Sequence, residues 1–533
     1  MKNIKYFLAT IVLGLGLTSC GDSFLTQYPE GGVLLQDQFD KLPDNLKGSI
    51  MGIYSKMYEY GGEHDEFGQR AIDMYGDIQS GDMAMAKSSY GWFENYERGY
   101  FYAYARSYIW SYYYDMINLA NLCEIAVEEN VPAMRDAIIS GDPNATIKLQ
   151  GYYYGQVLAL RGWAYSGLLQ YYCDPMDALS SQIDEEKSIP VYTATEVKNG
   201  ALGAPRATVA EVYERIYEDL YEAIELLDFY GPLNQRGSKL EIDADVARII
   251  LAYAMLHRGY ADPTGIVADG KTAFEIAQEM ADEAISNGNY SILPNAELTT
   301  TGFMDVSSAN WMWGEDVTVE NTTGLASFFG QVDIHTYSYA AAGDTKAIDS
   351  KLYDEIAATG WDGRVNWFRS GSDVFPYCPD GKFFNPKTKH TTKLDDVDRD
   401  WLCDNVFMRI EVAYLIAAEA AWKRGDEAKA KDYLKTLCSQ RLLEGKTVAD
   451  LDTWLAATDT KTALVYNWRV EMWGEGYGLQ TLRRLNKSVT LGSNHLAREG
   501  ADLTPTEKFQ CQIPTSETRY NPYLATTQFA KDE

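Results

Sequence analysis

The clearest helical pattern in the chain lies in residues 408–441. Apolar positions recur there every three or four residues in two blocks, which Gly425-Asp426 separates. A glycine followed by aspartate is typical of one helix ending and the next beginning. Two helices joined by so short a turn lie antiparallel, so the stretch predicts a helical hairpin. Its apolar positions are Ile410, Ala413, Tyr414, Ala417, Ala421, Ala430, Tyr433, Leu434 and Leu437.

A single hairpin cannot bury its own apolar faces, so it needs similar neighbours. Other stretches of the chain carry helical patterns too. The one at residues 209–227 has Thr208 as its predicted N-cap, with Glu211 completing a capping box. Recurring helical patterns predict a mainly α fold of tetratricopeptide-like helical hairpins, an α-α superhelix. Besides the hairpin, the predicted helices cover residues 36–58, 104–129, 151–172, 209–227, 243–259, 272–287 and 461–484.

Two long segments lack this periodicity, residues 73–103 and residues 290–403. Both are rich in glycine and aromatic residues, so we expect irregular insertions on a helical scaffold. We expect one domain over residues 20–533. Its parts are an N-terminal part (about 20–290, with the 73–103 insertion), the 290–403 insertion and a C-terminal hairpin with tail (about 404–533).

The N-terminus has the plan of a secretory signal. Lys2 and Lys5 precede an uncharged, mainly apolar run over residues 6–17. The run is shorter than the about 20 apolar residues that span a membrane. The following Leu-Thr-Ser-Cys resembles a bacterial lipobox, which predicts a signal peptide over residues 1–19 and lipid attachment at Cys20. The alternative is an ordinary signal peptide with an incidental cysteine.

Charge and tyrosine content narrow the range of partners. The formal net charge is −30. This argues against nucleic-acid binding, which depends on Lys and Arg at phosphates. It also argues against a strongly anionic ligand, unless a local basic pocket overrides the total. Tyr (39) outnumbers Phe (18), which favours wet interfaces and ligand surfaces as well as packing between helices.

The cysteines after Cys20 show no CxxC pair, and several fall in predicted helices. A buried free cysteine behaves as a small hydrophobic residue. We therefore predict no essential disulfide framework and no large change of melting temperature on reduction. The cysteines are Cys123, Cys173, Cys378, Cys403, Cys438 and Cys511.

Sequence motifs for catalysis or cofactors are weak. Residues 265–272 match the P-loop letters, but a predicted helix precedes them where the mechanism needs a strand. Residues 396–400 begin like a calcium loop, but Trp401 replaces the required glycine and Phe407 the bidentate glutamate. We expect no cofactor and no metal site, with a looser calcium site at 396–400 as the alternative.

Paired carboxylates are the remaining catalytic candidate. Glu471 and Glu475 share a predicted helix face, and such pairs can hydrolyse glycosides. The chain has only five histidines, and no HExxH or GxSxG. We expect no enzyme. We assign hairpin charges such as Glu411 and Glu419 to holding helices together and solvating a helix face.

Binding a sugar needs no such chemistry, because an aromatic ring covers the C–H face of the sugar and polar groups meet its hydroxyls. The irregular segments supply both kinds of residue. The alternative is that these aromatics anchor loops onto the scaffold. The candidate ligand-binding residues are Trp92, Asn95, Tyr96, Trp311, Trp313, Tyr337, Tyr339, Trp361 and Trp367.

An ordered set of motifs resembles the SusD/RagB family of Bacteroidetes outer-membrane lipoproteins. The resemblance extends from Cys20 to the C-terminus. Each motif alone is weak, but their order is specific. They are Asp22-Ser23-Phe24-Leu25, Trp110 with Ile117-Asn118 and Asn121, Leu160-Arg161 with Tyr165, Pro205-Arg206 with Thr208-Val209, Arg409 with Glu411 to Ala420, Ile513-Pro514 with Glu517, and Asn521-Pro522.

The resemblance implies a lipid-anchored protein of the outer membrane, exposed at the cell surface. It implies that the protein captures a nutrient, most often an oligosaccharide, and delivers it to a SusC-like TonB-dependent transporter. Within the same architecture, the alternatives are capture of a peptide and a scaffold that docks the transporter without binding a ligand.

Overall fold

The computed structural model describes residues 43–99, 103–142, 147–173, 187–383, 402–504 and 510–524. The predicted signal peptide, Cys20 and the calcium-like segment at 396–400 lie outside these ranges. None of the helices in the described ranges has the length and apolar composition to cross a membrane.

The N-terminal half is built from long helices close to the predicted ones. Thr208 caps its helix with the predicted capping box to Glu211. The sequence pattern missed the helices over residues 69–80 and 131–140 and the short ones over 94–97 and 194–198. The helices are α1 Pro43–Lys56, α2 Gln69–Ser80, α3 Glu94–Glu97, α4 Ala103–Val127, α5 Val131–Ser140, α6 Lys148–Tyr172, α7 Ala194–Lys198, α8 Val209–Tyr230, α9 Ala244–Ala261 and α10 Ala273–Ser286.

The predicted hairpin at 408–441 forms α15 Glu411–Lys423 and α16 Glu427–Cys438. Between them, Gly425 has a φ of 86°, the left-handed conformation that ends a helix. The helix predicted over 461–484 is wrong as one piece, because the left-handed Gly474 and Gly476 interrupt it. The C-terminal helices are α17 Val448–Ala457, α18 Thr460–Glu471, α19 Gly478–Arg484 and α20 Thr515–Tyr520.

The helices stack in a continuous series, as the predicted superhelix requires. Helix α6 packs between α4 and α8, and α9 follows α8. Helix α10 packs against α9 on one side and α15 on the other. The long segment between α10 and α15 is therefore an insertion that leaves the stack uninterrupted, which confirms the predicted fold class.

Close approach of α6 and α8 depends on glycine. A Cβ on Gly155 would lie 2.9 Å from the Leu227 side chain, and one on Gly162 would lie 2.7 Å from Leu220. The two helices are also joined by the buried Arg161, whose Nε and Nη2 donate to the Asp219 carboxylate at 2.8 and 2.7 Å.

The two segments predicted to be irregular contain more regular structure than expected. Helix α2 runs to Ser80, inside the 73–103 segment, and a ten-residue helix occurs inside 290–403. The elements of the second segment are α11 Asn295–Glu297, α12 Phe328–Val332, α13 Tyr339–Ala342 and α14 Ser350–Thr359.

The strands of the described residues form two-stranded antiparallel sheets. The pair β1–β7 joins the two inserted segments, with Met83 opposite Ile348 and Met85 opposite Lys346. The pairs are β1 Met83–Met85 with β7 Lys346–Ile348, β2 Lys187–Pro190 with β3 Arg206–Thr208, β4 Ile266–Ala268 with β5 Lys271–Thr272, β6 Trp311–Glu315 with β8 Asn405–Arg409, and β9 Val489–Thr490 with β10 Asp502–Leu503.

The P-loop letters at 265–272 form the β4–β5 hairpin. Helix α9 ends at Ala261 before it, and Thr272 caps α10 after it. No buried strand precedes the motif in this described part of the chain, so it lacks the setting that a phosphate site needs. All six cysteines of the described residues are buried free thiols.

Candidate functional site

Five rings meet at the protein surface, and we call them the aromatic platform: Tyr60, His64, Trp92, Tyr339 and Tyr90. The His64 and Trp92 rings stack, with their centroids 5.0 Å apart and their planes 20° from parallel. The edge-to-face contacts of Tyr60 and Tyr339 with His64 have centroid distances of 6.0 and 5.4 Å. Tyr90 contacts Tyr339 in the same way at 5.1 Å. Tyr60, His64, Tyr339 and Tyr90 form one continuous row, and Trp92 stacks beside this row on His64.

The row is open to solvent at both ends. Tyr60 and Tyr90 expose 47% and 55% of their surface, and the neighbouring Tyr337 exposes 58%. Trp92 and Tyr339 are half-buried. Such rings offer flat apolar surface that the protein itself does not cover.

Hydrogen bonds hold the loops of the platform in place. Gln331, on α12, donates from Nε2 to the carbonyl of His64 at 2.9 Å. Its Oε1 accepts a hydrogen bond from Lys346 Nζ, on β7, at 2.8 Å. Asp344 Oδ1 accepts the backbone N–H of Tyr90 at 2.8 Å. The second inserted segment therefore positions two loops, the one between α1 and α2 that carries His64 and the one in the first inserted segment that carries Tyr90.

Lys346 supports the platform from below. Its ammonium is buried, and burial lowers the pKa of Lys346 to about 8. Its Nζ lies 5.0 Å from the centroid of the Phe93 ring, next to Trp92 in the chain. This cation–π contact and the bond to Gln331 explain how a buried lysine is accommodated.

Polar groups lie within the platform. The Tyr339 hydroxyl and His64 Nδ1 are 2.6 Å apart and share a hydrogen bond. Burial raises the pKa of Tyr339, while the Trp92 side chain acts in the opposite direction. Asn95, on α3, is half-buried close by in the chain. The arrangement offers ring faces together with hydroxyl, imidazole and amide groups, which suits a ligand with apolar faces and a hydroxylated edge.

The structure brings Trp92, Tyr337 and Tyr339 together, but it buries the other predicted aromatics. Trp311, Trp313, Trp361 and Trp367 expose at most 1% of their surface. Tyr96 is also buried, stacked on Tyr75 at a centroid distance of 4.2 Å. A buried ring cannot contact a ligand at the surface, so we remove these five residues from the candidate site.

The buried tryptophans anchor the insertions instead. Trp311 Nε1 donates to the carbonyl of Gly302 at 2.6 Å, and Trp313 Nε1 donates to that of Leu240 at 2.8 Å. Trp367 Nε1 donates to Asn295 Oδ1 at 2.7 Å, and Trp361 packs against Trp454. Strand β6 ends at Glu315, and its register shifts between Trp311 and Trp313.

Trp313 also lines an internal cavity of about 80 Å³. This is small beside ligand sites, which have volumes of about 300–1,000 Å³. Asp73 lines the same cavity, and burial raises its pKa to about 6. The cavity suits a few water molecules beside a buried carboxyl group, and it has no room for a sugar ring.

The carboxylates Glu471 and Glu475 are buried as well. Glu471 accepts hydrogen bonds from Arg441 at 2.9 and 3.0 Å, and Glu475 accepts from Arg409 at 2.8 and 2.9 Å. Burial alone would raise the pKa of Glu471, but Arg441 and Arg409 outweigh it and hold that pKa below its ordinary value. We call this group the buried charge cluster: Arg364, Lys382, Arg409, Glu411, Arg441, Glu471 and Glu475.

A carboxylate held ionised and away from solvent is unsuited to act as the acid of a glycosidase. Glu411 and Glu419 are also fully buried, so their predicted role in solvating a helix face is wrong. Their role in holding helices together is supported: Glu411 pairs with Arg441 at 2.9 Å, and Glu419 with Arg484 at 2.7 Å.

Sequence reasoning missed Tyr60, His64 and Tyr90. Tyr90 stands two residues before Trp92 and could have been found as part of the same aromatic cluster. Tyr60 and His64 lie in the loop between α1 and α2, about 30 residues away. Only the folded chain brings that loop to Trp92.

Comparisons with known proteins agree with this architecture. Residues 40–251 match the SusD-like family model described as "Starch-binding associating with outer membrane". No curated protein matches the chain. Among solved structures, a SusD-like carbohydrate binding protein from Bacteroides vulgatus is 21% identical, with a TM-score of 0.67 over 90% of this chain and 97% of that one.

Two further structures are similar to the same extent. A SusD superfamily protein from Bacteroides thetaiotaomicron is 18% identical, with a TM-score of 0.66 over 90% of this chain and 98% of that one. A SusD superfamily protein from Bacteroides fragilis is 19% identical, with a TM-score of 0.65 over 91% of this chain and 99% of that one. At these identities the structural similarity establishes the fold.

Proposed function

We propose that this chain, which is similar to the SusD-like family over residues 40–251 and shares the fold of SusD-like structures, binds an oligo- or polysaccharide for nutrient uptake. The observation that carries the proposal is the aromatic platform. Its row of rings is built from separate loops, and the protein leaves much of their surface uncovered.

The chemistry of the platform fits a glycan. Sugar rings present C–H faces to Trp92 and the tyrosines, and their hydroxyls meet the Tyr339 hydroxyl, His64 and Asn95. The proposed ligand-binding residues are Tyr60, His64, Tyr90, Trp92, Asn95, Tyr337 and Tyr339. No catalytic step is part of the proposal.

The proposal includes an anchor and a partner. Cys20 carries the lipid that holds the protein in the outer membrane at the cell surface, and a SusC-like TonB-dependent transporter receives the glycan. The lipobox-like sequence and the description of the matching family, which names association with the outer membrane, support this part. Replacing Cys20 by alanine is expected to release the protein from the membrane fraction.

Affinity electrophoresis of the purified protein tests the binding proposal. Gels containing single polysaccharides from a neutral and acidic panel are expected to retard the protein in at least one case. A peptide pool, titrated calorimetrically, serves as the control for the other ligand class. Binding of peptides with no retardation by any glycan would contradict the proposal.

A further inference from the structure

A groove elsewhere on the protein shares no residue with the aromatic platform. It has a volume of about 650 Å³, within the range of ligand sites. Helix α18 forms its floor, with Thr462, Val465, Tyr466 and Arg469 spaced along one helix face. Helix α14, the end of α17 and residues 487–490 form its walls. We call it the α18 groove.

Arg469 lies at the bottom of the α18 groove with hydrogen-bonding capacity to spare. Its side chain is 5% exposed, and Nε donates to Asp82 Oδ1 at 2.6 Å. Within the described ranges, the terminal nitrogens Nη1 and Nη2 have no hydrogen bond, and Nη1 is 4.0 Å from the exposed carboxylate of Glu355. A nearly buried guanidinium usually satisfies its donors, so these two favour an acceptor that enters the groove.

Three cationic side chains line the groove, and Glu355 is the exposed carboxylate among its lining residues. Lys351 and Lys487 line the groove beside Arg469, and neither makes an ion pair with another described residue. The acidic lining residues are Asp349 and Glu355. Asp349 is already engaged, because it caps α14 and faces His495 at 3.3 Å. Outside the lining, hydrogen bonds from Thr462 hold the pKa of Asp459 below its ordinary value, and the charge of Lys487 adds to this effect.

The groove also has a ring face and hydroxyl groups. Trp454 is half-buried at its wall, and its ring centroid lies 5.2 Å from that of Tyr466. Thr462, Ser488 and Thr490 are exposed lining residues. The Ser488 and Thr490 hydroxyls donate to Thr504 and Asp502, at 3.3 and 2.6 Å, and their oxygens can still accept a hydrogen bond from a ligand. The cations alone would be enough to bind a simple carboxylate. The tryptophan ring and the hydroxyls in addition suit a ligand that has a sugar ring.

We propose that the α18 groove binds an acidic oligosaccharide, with a uronic carboxylate on Arg469, Lys351 and Lys487 and the sugar ring against Trp454. A chain with a net charge of −30 repels anionic ligands over most of its surface. A local cluster of cations overcomes that repulsion in one place.

Isothermal titration with short oligogalacturonide, oligomannuronate and hyaluronan fragments tests the proposal. The methyl ester of each binding fragment is the matched ligand, because it keeps the sugar rings and removes the charge. The wild-type protein is expected to bind at least one acidic fragment and to bind its ester more weakly. Binding is also expected to weaken with added salt.

Two variants locate the binding. Lys351→Gln/Lys487→Gln is expected to weaken binding of the acidic fragment about five- to tenfold, since it removes two partly exposed ion pairs with the ligand. The matched control is Lys47→Gln/Lys148→Gln, which removes the same charge at two exposed positions elsewhere and is expected to leave affinity unchanged. Thr462→Trp, at an exposed position on the floor, is expected to block the groove.

Several results would overturn the inference. They are failure of every acidic fragment to bind, equal affinity for acid and ester, and equal affinities of the two lysine variants. An acidic peptide that competes as well as the fragment would overturn the assignment to a sugar. Loss of acidic-fragment binding in Trp92→Ala, with Lys351→Gln/Lys487→Gln unaffected, would assign that binding to the aromatic platform and leave the proposed function standing.

Discussion

The buried charge cluster around Glu471 and the aromatic platform around Trp92 both concentrate side chains that are common in binding sites, but they differ in what those side chains already contact. Glu471 is fully buried and accepts hydrogen bonds from three arginines, Arg364, Arg409 and Arg441. Trp92 stacks on His64 at the protein surface, beside a row of rings whose ends, Tyr60 and Tyr90, are about half exposed.

This difference in contacts distinguishes the charge cluster, which is part of the scaffold, from the platform, which is the candidate site. The charge cluster joins α15, α18, β8, the turn after α16 and the second inserted segment, and its ion pairs are made within the protein. The platform leaves ring faces and polar groups uncovered, so its interactions are completed by something else. A residue type common in binding sites is therefore informative only together with its exposure.

The largest expected effect comes from removing a charge of the buried cluster. Glu471→Gln leaves three arginines without a shared carboxylate, and breaking such a buried pair costs about 3–5 kcal/mol of unfolding free energy. Urea unfolding followed by tryptophan fluorescence measures it. Glycan affinity of the folded fraction is expected to stay unchanged.

The matched control is Glu214→Gln, on the exposed face of α8, which is expected to change stability by less than about 0.5 kcal/mol. Similar stabilities of the two variants would contradict a structural role for the cluster. Loss of glycan affinity in stably folded Glu471→Gln would assign the cluster to function instead.

The next effect concerns the platform. Trp92→Ala is expected to weaken glycan affinity by about 30-fold, the about 2 kcal/mol of a central aromatic contact. Its melting temperature is expected to fall little compared with that of Trp367→Ala, which empties a buried site at a cost of about 3–5 kcal/mol. Calorimetric titration and thermal unfolding of both variants check this. Unchanged affinity in Trp92→Ala would remove Trp92 from the site.

Asp77 is a buried carboxyl group without a cationic partner among the described residues, so the scaffold can also be tested through the pH dependence of its stability. Burial, and then the charge of Asp82, raises the pKa of Asp77 to about 8. The folded protein then holds a proton that the unfolded chain has released, so stability is lost as pH rises from the unfolded pKa towards 8. Between pH 6 and pH 8 the loss from this group is about 2 kcal/mol.

Asp77→Asn is expected to reduce the loss of unfolding free energy between pH 6 and pH 8, measured in urea, by this contribution of about 2 kcal/mol. Glu315, whose pKa burial also raises to about 8, keeps its own contribution. Asp136→Asn, at an exposed position on α5, is the control and is expected to keep the wild-type slope. The same slope in all three proteins would show that Asp77 ionises normally.

The smallest effect is expected at the edge of the platform. Tyr337 is 58% exposed, so Tyr337→Ala is expected to change stability by less than about 0.5 kcal/mol. A rim contact contributes less than about 1 kcal/mol, so affinity is expected to fall less than about fivefold. A loss as large as that of Trp92→Ala would move the centre of the site to Tyr337.

The scaffold was predictable because its signals are local. The stripe around Ala417, the glycine stop at Gly425 and the capping box at Thr208 each lie within one or two helical turns. Prediction failed where the same local pattern fits either one helix or two, as at residues 461–484. The pattern at 461–484 is helical on both sides of Gly474, but its break follows from backbone geometry that periodicity does not report.

The candidate site was only partly predictable because it is assembled from distant loops. Trp92 and Tyr339 stood out as aromatics in irregular segments, but so did Trp313 and Trp367, which are buried. Composition alone cannot separate the two groups. The pairing of β1 with β7 and the bonds of Gln331 decide which rings reach the surface, and these are long-range contacts.

The most direct test of the central claim is the indole N–H NMR spectrum of the tryptophan-labelled protein during titration with a glycan that retards it in affinity electrophoresis. Tryptophan-to-phenylalanine variants assign the signals. The Trp92 signal is expected to shift with the titration, while those of Trp311, Trp313, Trp361 and Trp367 stay in place. A saturating shift at a buried tryptophan with no change at Trp92 would contradict the account.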